Sequence, residues 1–404
     1  EADLRHHGIG YAFSEVTQKE KMKDVWEVRK GGLGLLMSKR SYVNACAFLE
    51  DMTIPPAKLH DFMKRFFEYL AQYNKEAGVY GHVGSGCMHI RPYLNLQSQD
   101  DLDLIARMME TFSSIVIEYG GALSGEHGDG IIRSGYNEKM FGAPLYKGFQ
   151  ELKDAFDPFH LMNPGKIVGG LKFEELQDKL KIKPSTVTRS FDTFYDFEKE
   201  GGFALAVDLC NGNGKCRKKE SLMCPSFQAT LNEYDSTRAR ANALQAMIHE
   251  SLSDKSLANP DIHDILDLCL SCKGCKTECP SQVDMAKMKS EFLYHYQKQK
   301  GIPLRSRLIA NIAHLNEWAM PSLQNWLVKQ PFVKKILKKI GFSPSRTLPS
   351  LSSNRFSELF YRIKQPEGKK VVLFNDTYTQ FNHPEIGESA IAVLNKLGYE
   401  VIVP

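Results

Sequence analysis

Seven of the nine cysteines in this 404-residue chain lie between Cys210 and Cys279, in metal-ligand rather than disulfide spacing. Four of them form Cys269-x2-Cys272-x2-Cys275-x3-Cys279-Pro280. This is the spacing of a bacterial-type ferredoxin run, in which three close thiolates bind three irons of one cubane and the fourth reaches a neighbouring cluster. Zinc fits poorly, because the run ends directly in proline and a second cysteine group lies upstream. That group is Cys210-x5-Cys216-x7-Cys224-Pro225, with Asn213 where a second run would carry its middle cysteine. Exchanging the two Cys-Pro ligands yields one site of Cys224, Cys269, Cys272 and Cys275, and another of Cys210, Cys216 and Cys279. The second site is one thiolate short. It suits a 3Fe-4S cluster, or a 4Fe-4S cluster whose fourth iron takes water or an oxygen or nitrogen side chain, and spacing does not choose between them.

A different chemistry is suggested nearer the N-terminus. Gly81-His82-Val83-Gly84-Ser85-Gly86-Cys87-Met88-His89 places two imidazoles seven residues apart around a glycine-rich turn, and about forty residues later comes Gly125-Glu126-His127-Gly128-Asp129-Gly130. Glycines let the backbone approach a ligand, while His and Glu are borderline ligands for a divalent metal with an open coordination position.

The elements that must position these residues follow from periodicity. Apolar side chains at Leu59, Phe62, Met63, Phe66, Leu70 and Tyr73, and again at Leu102, Ile105, Met109, Phe112, Val116 and Tyr119, recur at three- and four-residue steps and predict two amphipathic helices. Short β-rich runs flank the glycine-rich stretches, so residues 1–170 read as an α+β domain with its loops gathered near one site. Residues 171–203 are polar, with Pro184 and a Ser/Thr cluster, and read as a linker. Residues 204–297 form a mainly α-helical cysteine module, with helices expected around 236–250 and 282–297. Residues 298–340 carry nine Lys/Arg against the single acid Glu317, and Pro321 and Pro331 should cut that stretch into short helices. A second linker is expected over 341–368. Residues 369–404 read strand, helix, strand, the start of an α/β domain.

Composition narrows the classes of function. A net charge of +4 with 25% charged residues gives no wholesale basic character, so no nucleic-acid partner is expected. No apolar run approaches the roughly 18 residues of a membrane span. The crowded thiols point to a reducing compartment, hence a cytoplasmic location.

The glycine-histidine loops, together with Phe156-Asp157-Pro158 and Met162-Asn163-Pro164-Gly165-Lys166, resemble the C-terminal half of FAD-linked oxidases of the vanillyl-alcohol oxidase superfamily, to which D-lactate, glycolate and D-2-hydroxyglutarate dehydrogenases belong. The resemblance implies that His82, His89 and Glu126 bind a divalent metal, with zinc the first candidate, and that His127 is the catalytic base. It further implies that Arg29, in Trp26-Glu27-Val28-Arg29, binds a substrate carboxylate, and that Asn163 and Lys166 lie beside FAD. Ser85 and Cys87 stand where that family usually carries Asp and Asn. The cysteine module is similar to the dicluster ferredoxin domains of glycolate oxidase iron-sulfur subunits. Residues 369–404 resemble the opening of a heterodisulfide-reductase-type cysteine-rich domain.

The order of these parts resembles the middle of the large fused FAD and iron-sulfur D-2-hydroxyacid dehydrogenases, and the chain is expected to be a segment of a longer polypeptide. The implied function is oxidation of a D-2-hydroxyacid, D-2-hydroxyglutarate or D-lactate, with electrons leaving through two iron-sulfur clusters to a quinone or redox-protein acceptor. The alternative is a non-catalytic iron-sulfur electron-transfer module of a larger redox complex. For the basic segment 298–340, three roles stand side by side: contact with the anionic inner face of a membrane, docking on an acidic partner, or packing on the cysteine module.

Overall fold

The computed structural model describes residues 2–37, 41–219, 222–249, 257–343 and 345–404. The chain divides into two compact units, Glu1–Tyr296 and Gln297–Pro404.

The first unit holds two cores. The N-terminal one is built on a four-stranded antiparallel sheet whose central strand β4 (Cys87–Asn95) pairs with β1 (Val43–Ala45), β2 (Met52–Thr53) and β3 (Ala77–His82). After helix α1 (Lys19–Met37), exposed over residues 19–29, the two expected amphipathic helices form as α2 (Leu59–Gln72) and α3 (Gln99–Glu118). Both bury their apolar stripe. Phe62 and Phe66 of α2 meet Phe112 of α3 at ring-centroid distances of 6.3 and 4.7 Å, inside a core that also takes Met52, Ile54, Ile90 and Leu94 from the sheet. Three further helices, α4 (Gly130–Ser134), α5 (Asn137–Phe141) and α6 (Ala143–Phe156), follow the second glycine-rich loop.

The second core belongs to the cysteine module. Helices α7 (Phe203–Asp208), α8 (Thr237–Ile248), α9 (Pro260–Asp267) and α10 (Met285–Lys300) pack Val207, Leu244, Met247, Leu266, Met288 and Phe292 around the thiols. Ser236 caps α8 by accepting the Ala239 N–H at 3.0 Å, and Asn259 caps α9 in the same way, so both helices begin where their cap residues dictate.

Residues 171–203 contain little regular structure, as a linker would, yet they are firmly packed. Phe173 and Leu176 are buried at one end, Phe173 within the first core, while Phe197 and Phe203 enter the second. The fully buried Glu291 carboxylate of α10 accepts the backbone N–H groups of Phe194 and Tyr195, both at 2.9 Å. The polar composition that suggests a linker therefore hides spaced aromatic anchors.

In the second unit, Pro321 and Pro331 stand at the first turns of α13 (Pro321–Leu327) and α14 (Pro331–Lys339), preceded by α11 (Leu304–Ala310) and α12 (Ile312–Trp318). Proline lacks the N–H that a helix start leaves unpaired anyway, so it begins each piece rather than bending one long helix. The expected strand-helix-strand forms as β5 (Lys369–Val372), α15 (Pro384–Lys396) and β6 (Tyr399–Ile402), with the strands parallel. Part of the expected second linker joins this core: Phe356 is fully buried, and a Cβ at Gly387 of α15 would lie 2.2 Å from its ring. Among the described residues no helix is long and apolar enough to cross a membrane.

Candidate active site and thiol centres

The two glycine-rich loops meet over the segment that carries Asp51. β2 pairs with the start of β4, Met52 opposite Met88, and bridges to Ala122 through reciprocal Thr53–Ala122 backbone bonds of 2.9 Å. The Gly125 N–H then donates to the Asp51 carbonyl at 2.9 Å. Two glycines make this approach feasible. Gly86 turns the β3–β4 hairpin at φ 74°, and a Cβ there would sit 1.8 Å from the Ile54 carbonyl oxygen; one at Gly125 would sit 1.9 Å from Thr53 Oγ1.

This arrangement brings four of the expected site residues together. Glu126 Oε1 is 3.2 Å from His82 Nε2, 3.0 Å from His89 Nε2 and 3.5 Å from His127 Nε2. The His89 and His127 rings stack at 4.8 Å and 9°. His89 is almost wholly buried, whereas the side chains of His82, Glu126 and His127 are each close to half exposed, so the cluster has an inner wall and an open mouth. Burial pushes the His89 imidazole below its ordinary pKa, with the charge of His127 adding to the effect, which favours the neutral form that a metal ligand needs. His89 Nδ1 is buried without a hydrogen-bond partner among the described residues. Two imidazole nitrogens and a carboxylate oxygen converging from one buried and two open positions suit a divalent cation with a vacant coordination site.

Asp51 is the residue that sequence reasoning missed. Its ligand atom lies within 4.8 Å of those of His89, Glu126 and His127. Fully buried, it accepts the N–H groups of Glu126 at 3.1 Å and His127 at 2.8 Å, the Ser124 hydroxyl at 2.8 Å and the Cys87 thiol at 3.4 Å. Burial works against ionisation of Asp51, but the His127 N–H, Ser124, the Glu126 N–H and Cys87 outweigh it and hold the carboxyl below its usual range. Its neighbour Glu50 is also tied down, by Arg91 at 2.7 Å and Tyr80 at 3.1 Å. Two adjacent acids inside the apolar run Phe48-Leu49-Glu50-Asp51-Met52 were the available signal.

The remaining site residues lie elsewhere. Arg29 is exposed on α1, its guanidinium 5.6 Å from the Trp26 ring centroid, and no described contact joins it to the histidine cluster. Asn163 takes a left-handed conformation at φ 44°, with Lys166 Nζ 3.4 Å from its side-chain oxygen. Their loop is anchored at both ends. The Asp157 carboxylate accepts Lys153 and the N–H groups of Leu161 and Met162, and Lys153 above all pulls its pKa down to about 2. At the other end Asn137 Nδ2 donates both to the Ile167 carbonyl and to Asp129, at 3.0 Å each, linking this loop to the Gly-Glu-His-Gly-Asp-Gly loop.

Of the seven clustered cysteines, all but the exposed Cys272 lie in or against the core of the module, and four of the seven share a cavity. Cys224, Cys269, Cys272 and Cys275 line one small cavity together with Arg240. Left-handed backbone at Cys224, Ser271 and Lys273 turns the chain around that cavity. Burial raises the Cys275 thiol to about 11, with the charges of Cys269 and Cys272 adding to the rise. Burial also raises Cys210, with the charge of Cys279 adding to it, and Cys216, with the charges of Cys224, Cys210 and Cys279 adding in that order, so Cys216 lies between the two sets of thiols. Thiols held protonated by burial and by one another suit a cationic iron core, whose binding expels the protons. The Asn213 side chain, where the middle cysteine of a full run would stand, is engaged in its own turn: its amide donates to Asn211 at 2.8 Å and accepts the Lys215 N–H at 2.8 Å.

Residues 2–167 match the family described as FAD linked oxidases, C-terminal domain, and residues 206–283 match the 4Fe-4S dicluster domain. The chain therefore joins an FAD-linked oxidase C-terminal domain to an iron-sulfur dicluster domain. It is 28% identical to the D-2-hydroxyglutarate dehydrogenase of Haemophilus influenzae over 98% of its own length and 43% of that protein. With the D-2-hydroxyglutarate dehydrogenase of Escherichia coli it shares 28% identity over 94% of this chain and 42% of the relative. A D-lactate dehydrogenase of Archaeoglobus fulgidus is 30% identical over 29% of this chain and 26% of its own length. The chain thus spans less than half the length of the D-2-hydroxyglutarate dehydrogenases it matches.

Proposed function

We propose that this chain is the central part of an FAD- and iron-sulfur-dependent dehydrogenase that oxidises a D-2-hydroxyacid, D-2-hydroxyglutarate or D-lactate, to the 2-oxoacid. The observation that carries the reading is the single Glu126 oxygen shared by His82 and His89, with His127 stacked beside them over a buried carboxylate. His82, His89 and Glu126 would hold a divalent cation, for which zinc suits the donor set. Bound there, the cation would supply Lewis acidity to the substrate's hydroxyl and carboxylate oxygens, FAD would supply the hydride acceptor, and iron-sulfur clusters would supply one-electron carriers toward a quinone or redox-protein acceptor.

The chain's own residues handle the proton and the orientation. His127 Nε2 faces the Glu126 side of the site and takes the hydroxyl proton there. Its Nδ1 lies 3.9 Å from Asp51 Oδ1, so the imidazolium that forms gains a buried opposite charge. Stacking on His89 sets the ring plane throughout. Arg29 is assigned to the substrate carboxylate, and Asn163 and Lys166 to the flavin edge. Turnover of D-2-hydroxyglutarate and D-lactate by the full-length protein, with an artificial acceptor, tests the reading. Reduction of the acceptor with either substrate supports it, and none with both would leave the electron-transfer module as the better account.

A further inference from the structure

Arg240 lies on α8 in the middle of the cysteine module, with only 1% of its surface exposed. A guanidinium stays charged at any pH a protein survives, so its burial demands compensation. The described contacts supply little of it. Nε donates to the Ile265 carbonyl at 2.9 Å, and Nη1 to Ser226 Oγ at 2.9 Å and to Cys224 Sγ at 3.7 Å. Among the described residues Nη2 is buried with no hydrogen bond, and the carboxylate facing it, Asp235 Oδ1, stands 3.9 Å away.

A second cation shares the neighbourhood. Lys289 of α10 donates to the carbonyls of Asp267 and Cys269, at 3.0 and 2.8 Å, rather than to a carboxylate. A buried guanidinium that lines a cavity with Cys224, Cys269, Cys272 and Cys275, while the Lys289 ammonium is bonded to the Cys269 carbonyl, calls for an anion in that cavity. A 4Fe-4S core with four thiolates is such an anion, about −2 when oxidised and about −3 when reduced.

We infer that Arg240 is a positioning residue that sets the reduction potential of the cluster held by Cys224, Cys269, Cys272 and Cys275, raising it above the value the four thiolates alone would give. The inference rests on the proposed assignment of these four thiols to one cluster. The redox step is the entry of one electron, supplied by the reduced flavin, with no bond made or broken and no proton moved. The added negative charge is stabilised by a fixed guanidinium that donates to a ligand sulfur. The cations near the other thiol group are differently committed. Arg238 grips Glu233 through two bonds of 2.9 and 3.0 Å, and Lys181 donates to the side-chain oxygens of Asn242 and Gln245.

Redox titration of the full-length holoenzyme, followed by electron paramagnetic resonance, tests this with both clusters in one sample. Arg240→Gln should lower the midpoint of one cluster and leave the other in place, and Arg240→Lys, which keeps the charge without the fork, should recover part of the shift. Asp235→Asn, which removes the opposing charge, should move the same midpoint upward. Unmoved potentials in Arg240→Gln at full iron and sulfide content, or equal shifts of both clusters, would overturn the inference. Should Arg240→Gln fail to assemble its clusters, Asp235→Asn and Lys289→Gln decide, the latter expected to lower the midpoint, and unchanged values in both count against it. Wild-type enzyme lacking two clusters would instead overturn the ligand assignment, a result separable by iron and sulfide analysis alone.

Discussion

His127 presents one ring nitrogen to Glu126 and the other to Asp51, and that division of labour makes its removal costly. His127→Ala in the full-length enzyme should lower turnover on the order of a hundredfold or more, as expected for a lost general base. His82→Ala and His89→Ala should instead lower the bound divalent metal, and unchanged metal in both by elemental analysis would refute the ligand assignment. Asp51→Asn keeps the shape of a side chain that accepts four donors but removes its charge. Hydrogen bonds to a charged group contribute about 1.5–3 kcal/mol, so denaturant unfolding should show a loss of about 2 kcal/mol at neutral pH. The sign with pH follows from the depressed carboxyl: its stabilisation is present above the unfolded-state pKa of about 3.9 and is lost as pH falls through the lower folded value. The gap between wild type and Asp51→Asn should therefore narrow on acidification, and a gap that widens would show that the charge is not what matters.

At the scale of elements, α2 and α3 were legible because a stripe of apolar residues at 3.6-residue spacing has one stable solution, burial against another element. The packed segments 171–203 and 341–368 were not, since isolated aromatics such as Phe173, Phe197 and Phe356 carry no period. The basic segment that spans α11 to α14 shows a further pattern. Trp318, Trp326, Phe332 and Ile336 are all more than half exposed among Lys329, Lys334, Lys335, Lys338 and Lys339. Apolar rings between lysines suit the headgroup layer of an anionic bilayer, where each Lys near the surface contributes about 1 kcal/mol. Co-sedimentation of the full-length protein with vesicles should rise with the anionic lipid fraction and fall with salt. Indifference to lipid charge would assign this face to a protein partner or to intramolecular packing.

Across the whole molecule the two thiol groups differ in kind, and the difference should appear as unequal robustness. On the proposed assignment, Cys210, Cys216 and Cys279 would leave one iron without a thiolate, and the Asn213 amide is already committed to its own turn. Controlled oxidation of the full-length enzyme in air should therefore yield a 3Fe-4S signal first, at this group, while the four-thiolate cluster persists. Asn213→Cys should slow the appearance of that signal. Loss of both clusters together, with no such signal in electron paramagnetic resonance, would mean that a side chain from elsewhere completes the coordination.

What the sequence determined by itself is whatever depends on local spacing. The ferredoxin run, the missing cysteine at Asn213, the glycine-histidine loops and the amphipathic helices are all set by residues within one or two turns of each other, so their chemistry could be read in one dimension. The tertiary structure decided the contacts that join distant segments. Asp51 serves the Glu126–His127 loop only because β2 lies between β4 and Ala122, and Arg240 reaches Cys224 only because α8 packs into the thiol core. A buried charge has no periodicity and no motif. Its role is set by which partners the fold places within a few ångströms, where the low local dielectric makes pairing decisive.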